Sequence, residues 1–140
     1  MNSTEYKDLL KSFLERGFCF KKFEEFNVKN KGQVILRHDV DFSVDMAVQM
    51  AALEKDLGVF STFYFLLASD SYNMLSKKNT DSVKLIIDMG HSVGLHFDPT
   101  VYDDEKSGFN AELEIFERCF GEVLSMSFHR PSQLVLEGVN

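Results

Sequence analysis

Apolar and polar positions follow two periods along this chain. Tyr6, Leu9, Leu10, Phe13 and Leu14 recur at helical spacing, which predicts an opening helix stopped at Gly17. Phe18-Cys19-Phe20 reads as a short extended piece, and the charged stretch from Lys21 to Lys31 as a surface connection. Val34-Ile35-Leu36 then leads into Arg37-His38-Asp39-Val40-Asp41, a buried strand that ends in polar residues. Ser43 is placed to cap the next helix, with Met46, Met50, Leu53 and Leu57 as its apolar stripe and Gly58 as its end. An aromatic strand over residues 61–67 gives way to the polar segment Ser69 to Asn73. Thr80 is the expected cap of a helix whose apolar face is Val83, Ile86 and Ile87, ending at Gly90. A third strand runs from His91 to Asp98 and is stopped by Pro99. After a solvated loop at Asp103-Asp104-Glu105, Ser107 or Asn110 opens a helix through Leu113, Phe116 and Phe120 to Gly121. A fourth strand, Val123 to Phe128, runs into His129-Arg130-Pro131.

Strands alternating with helices are the mark of βαβ units and a parallel sheet, so the expected class is α/β. No repeat or low-complexity linker divides the chain, and residues 1–140 read as one domain. Ligand sites in such folds lie at the carboxyl ends of the strands. Those ends carry Asp39 with Asp41, Ser69 with Asp70, His96 with Asp98, and His129 with Arg130.

Alternation sharpens this cluster. Residues two apart in a strand share a face, so Asp39 and Asp41 point one way, as do His96 and Asp98. His38 faces away from Asp39. His91 and His96 are an odd number apart and face opposite sides, which makes His91 a structural histidine at a helix-to-strand turn. Two carboxylates and an imidazole from a neighbouring strand suit a divalent metal such as zinc beside a general base. Asp41 and His96 are the ligand candidates, Asp39 the base, and Arg130 the candidate to hold Asp39. The plainer alternatives stand beside these. Asp41 also lies close enough to cap the following helix, and Arg37 and Arg130 suit ordinary ion pairs.

Composition narrows the classes. The 44% apolar and 26% charged content is that of an ordinary globular domain, and 140 residues suffice for a core. A net charge of -7 argues against a nucleic-acid surface. No apolar run suits a bilayer span, and the opening residues lack a secretory pattern, so a cytoplasmic protein is expected. Cys19 and Cys119 form no CxxC pair and are expected as buried free thiols.

The segments Leu36-Arg37-His38-Asp39-Val40-Asp41, Gly90-His91-Ser92-Val93-Gly94-Leu95-His96 and Phe128-His129-Arg130-Pro131 resemble, in order, motifs of the NodB-like polysaccharide deacetylase family. The likeness is greatest to its RHDVD-bearing branch, often associated with surface-polysaccharide biosynthesis, and covers residues 33–132. The resemblance implies a distorted (β/α) barrel and a metal-dependent hydrolysis of an N-acetyl or related amide, with an N-acylated sugar or oligosaccharide as substrate. It implies that Asp39 is the base and Asp41 a metal ligand, although Val40 separates the two where the family usually has an adjacent pair. His96 corresponds to the first metal histidine. The second falls at Thr100, which leaves Asp98 or His129 to replace it, and Arg130 corresponds to the arginine of the third motif. Family domains continue through further strands, so the chain reads as the N-terminal portion of such a domain. A partial barrel has an unpaired edge, where self-association is expected.

Two rivals remain. A non-catalytic remnant or a carbohydrate- or partner-binding module would account for Thr100. A phosphotransfer or phosphoesterase domain would use acidic strand ends to hold magnesium, but no glycine-rich phosphate loop accompanies them.

Overall fold

Helix α1 (Ser3–Glu15) starts where a reciprocal cap satisfies its free amides. The Asn2 side chain accepts from the Glu5 N–H and the Glu5 carboxylate accepts from the Asn2 N–H, both at 2.9 Å. Residues 1–138 are described here, from a computed structural model; Val139 and Asn140 lie outside the described residues. Strands β1 (Cys19–Lys21) and β2 (Gln33–Ile35) form a small parallel pair. The main sheet consists of β3 (Arg37–Val40), β4 (Thr62–Leu66), β5 (Ser92–Phe97) and β6 (Met126–Phe128), all parallel and in sequential order. Helices α2 (Val44–Asp56), α3 (Lys77–Asp88) and α4 (Glu105–Phe120) make the crossovers, and a short α5 (Gln133–Leu136) follows β6.

The architecture is therefore α/β with parallel strands, and the four sequential strands form a curled half-barrel. Right-handed crossovers between strands in sequential order carry every helix to the same side. Accordingly, Val40, Phe63, Phe65, Leu95 and Phe97 of the sheet join Ala47 and Ala51 of α2, Val83 and Ile86 of α3 and Phe116 of α4 in one buried core. Each large side chain in it contributes about 1.5–3 kcal/mol by leaving water. The opposite face of the sheet carries Arg37, Asp39, Tyr64, His96 and Ser127.

Several local expectations shift. The predicted strand from Val34 to Asp41 is divided at Leu36, because its partner changes. β2 pairs with β1, whereas the Leu36 carbonyl already accepts from Thr62 N–H of the next sheet. On α2 the buried positions are Val44, Ala47, Ala51 and Glu54, while Met46 is 67% exposed. The aromatic side chains of β4 fill the core, so α2 meets them with Ala47 and Ala51, while Met50 packs at the core's edge and Met46 turns outward. Ser76 rather than Thr80 caps α3. Asp104 rather than Ser107 or Asn110 caps α4, so the acidic stretch at Asp103-Asp104-Glu105 is a helix start. Both cysteines are free, but Cys19 is exposed, because β1 belongs to the small pair outside the core. Among the described residues no helix is long and apolar enough to cross a membrane.

Gly94 on β5 brings the site face together. A Cβ there would lie 2.4 Å from the Ser125 carbonyl oxygen and 2.7 Å from the Tyr64 ring, so only glycine admits both neighbours. Tyr64, seated there, reaches Ser125 with its hydroxyl at 2.7 Å.

Candidate metal centre

Three side chains meet at the carboxyl ends of β3, β5 and β6. Asp41 follows β3, His96 lies near the end of β5, and His129 follows β6, where its N–H bonds the Phe97 carbonyl at 2.9 Å. Asp41 Oδ1 is 3.3 Å from His96 Nε2 and 3.3 Å from His129 Nδ1, and the two ring nitrogens are 3.2 Å apart. These three can hold a metal ion. Two ligands bound about 2.0–2.1 Å from a tetrahedral zinc lie about 3.3–3.4 Å from each other. The observed triangle has that size, and Asp41 and His129 also line the adjacent cleft.

Electrostatics favours a cation here. Asp39 is paired with Arg37 at 2.7 Å, and Asp98 with Arg130, whose Nε donates at 3.1 Å. Asp41 is the carboxylate of the three that no arginine meets. Its Oδ1 is buried and has no hydrogen-bond partner, one of three such side-chain atoms among the described residues, with Thr62 Oγ1 and Glu112 Oε2. A buried carboxylate oxygen left without a donor is costly unless something positive completes it. Burial pushes the His96 pKa down against the opposing pull of Asp39 and Asp41, so its imidazole is neutral at neutral pH, the form that ligates.

The remaining candidates divide. Asp39 lies on the same face as Asp41 and accepts from Ser127 Oγ at 3.3 Å. Arg130 does not hold Asp39. It reaches Asp98, at the end of the neighbouring strand β5, and Arg37, two residues before Asp39 and hence on its face, takes the job instead. Asp98 stands outside the triangle. Its Oδ1 accepts from the Thr100 hydroxyl at 2.6 Å and the Thr100 N–H at 3.0 Å, while Arg130 occupies Oδ2. Burial alone would raise the Asp98 pKa, but Thr100 and Arg130 outweigh it and hold the carboxyl below its ordinary value. Thus Thr100 braces Asp98, and His129 supplies the third corner. Asp41 is not the helix cap, because Ser43 accepts from Met46 N–H at 3.2 Å.

The triangle borders a cleft of about 460 Å³ lined by Phe42, Leu66, Asp70, Val101 and Arg130 as well as Asp41 and His129. Tyr72 fixes one wall by accepting from Leu66 N–H at 2.9 Å and donating to the Val40 carbonyl at 2.6 Å. Sequence reasoning singled out neither Arg37 as the partner of Asp39 nor Ser127. The available signal for both was parity, since Arg37 precedes Asp39 by two residues and Ser127 precedes His129 by two. Comparisons with family models, curated proteins and solved structures found no match.

Proposed function

We propose that this chain carries the metal-binding part of a hydrolase of the polysaccharide deacetylase type, acting on an N-acylated sugar or a related amide. The observation that carries the reading is the triangle of Asp41 Oδ1, His96 Nε2 and His129 Nδ1, of tetrahedral-edge size and beside a further carboxylate. The ordered likeness of three segments to NodB-type motifs supplies the substrate class and the reaction.

Asp41, His96 and His129 would hold the ion. A divalent metal in such a centre lowers the pKa of water and polarises a carbonyl. Asp39 stands ready as a proton acceptor, oriented by the Arg37 guanidinium. The adjacent cleft would receive the acyl group and its sugar, with Arg130 and Asp70 as polar walls and Leu66 and Val101 as apolar ones. Asp39→Asn is expected to abolish acetate release from an N-acetylglucosamine oligomer while retaining zinc affinity within a few-fold. Unchanged release would sink the assignment of the base. A folded parent that binds chito-oligomers without any metal dependence would instead favour the binding-module reading, for which Thr100 is the support.

A further inference from the structure

Ser127 lies between the two functional halves of this face, and nothing in the motifs assigns it a role. It sits on β6, 4% exposed, with its hydroxyl 2.7 Å from His96 Nδ1 and 3.3 Å from Asp39 Oδ1. The direction of these contacts follows from the inventory of hydrogens. The Asp39 carboxylate oxygen accepts, so the single hydroxyl hydrogen of Ser127 goes to Asp39. The hydroxyl oxygen then has only lone pairs to offer His96, so His96 Nδ1 carries the imidazole proton. A neutral imidazole has one N–H, which leaves Nε2 with a lone pair directed at Asp41 and His129.

We infer that Ser127 is a positioning residue that sets the tautomer and orientation of His96 and links it to Asp39. The chain of contacts runs Arg37, Asp39, Ser127, His96 and on to the Asp41–His129 pair, crossing from β3 to β6 to β5. It deepens the proposed function, on which the roles of Asp39 as base and His96 as ligand rest. The tautomer itself is a property of the metal-free protein. Outer partners of ligating histidines commonly change metal affinity by about 10–100-fold when removed.

The test is long-range proton–nitrogen NMR of the histidine rings in the metal-free chain at neutral pH, run beside zinc calorimetry. The expected parent spectrum has His96 protonated on Nδ1 and unprotonated on Nε2. In Ser127→Ala the two tautomers redistribute and zinc binding weakens about 10–100-fold. Ser127→Thr, which keeps the hydroxyl, restores both. A parent His96 protonated on Nε2 would overturn the inference, and so would a folded Ser127→Ala chain with an unchanged tautomer. The parent spectrum decides the matter even where Ser127→Ala does not fold. If the parent shows the Nδ1 tautomer, Ser127→Ala redistributes it, and no chain binds zinc, the metal reading fails while the positioning role of Ser127 stands.

Discussion

Two clusters of similar composition lie on opposite faces of the same sheet, and they differ in whether their carboxylate is satisfied. On the helix side, Glu54 is fully buried. Its Oε1 accepts from Tyr6 Oη and meets His38 Nε2, each at 2.5 Å, and its Oε2 accepts from Ser61 Oγ at 2.5 Å. His91 completes the group, with Nε2 2.9 Å from the Ala51 carbonyl. On the other side, Asp41 has the same neighbours in kind, two imidazoles, yet its Oδ1 has no donor. Both sides hold a carboxylate, two histidines and a serine. The first is closed on itself and ties α1 and α2 to the sheet. The second is open by one positive charge. Residue types alone do not separate these two clusters; an unmet carboxylate oxygen facing two imidazoles does.

If that contrast is right, breaking each cluster has a different consequence. The largest effect is expected from Glu54→Ala, which strands Tyr6, His38 and Ser61 and should lower folding stability by about 3–5 kcal/mol, read from urea midpoints. Asp41→Ala should leave stability within about 1 kcal/mol or raise it, because it removes an unsatisfied buried oxygen. A comparable loss in both would erase the distinction. Next in size, Asp41→Ala should weaken zinc by at least about 100-fold, equivalent to about 2.7 kcal/mol, by calorimetry.

Smaller effects sharpen the comparison. Arg37→Ala should lower amide turnover about 10-fold with zinc affinity nearly unchanged, since it frees Asp39 without touching the triangle; equal loss of both would put Arg37 in the metal centre. The pH dependence of folding should report the buried knot. Burial pushes the His91 pKa down, so the unfolded chain takes up that proton first, and stability falls as pH drops below about 6.5. Burial would raise the Glu54 pKa, but the bond and charge of His38, with Ser61 and Tyr6, outweigh it and hold the carboxyl low. Its contribution is therefore present above the unfolded value and is lost as pH falls through the folded one. Urea midpoints that stay flat from pH about 6.5 down to about 5 would contradict the His91 assignment, and midpoints that stay flat below about 4.5 would contradict that of Glu54.

Much of this was legible in the chain, and for a physical reason. Period-two alternation separated His38 from Asp39 and His91 from His96, and the structure puts His38 and His91 with Glu54 and the other two on the site face. The carboxyl-end rule located the cluster. What escaped was set by partners distant in sequence. Glu54, between Leu53 and Lys55, carries no local signal of burial, and only Tyr6 of α1, His38 of β3 and Ser61 before β4 together make its burial affordable. Arg130 matched a motif position, yet Asp98, braced by Thr100, captured it, and the nearer Arg37 took Asp39. The exposure of Met46 on α2 likewise depends on the bulk of Phe63 and Phe65 in the core, which α2 does not encode.

The most direct test of the central claim is a calorimetric zinc titration of the chain beside Asp41→Asn, His96→Ala and His129→Ala. One ion per chain is predicted for the parent, with each substitution weakening it and circular dichroism unchanged. A folded parent that takes up no zinc, or binding that survives all three substitutions, would contradict the assignment of Asp41, His96 and His129 as a metal centre.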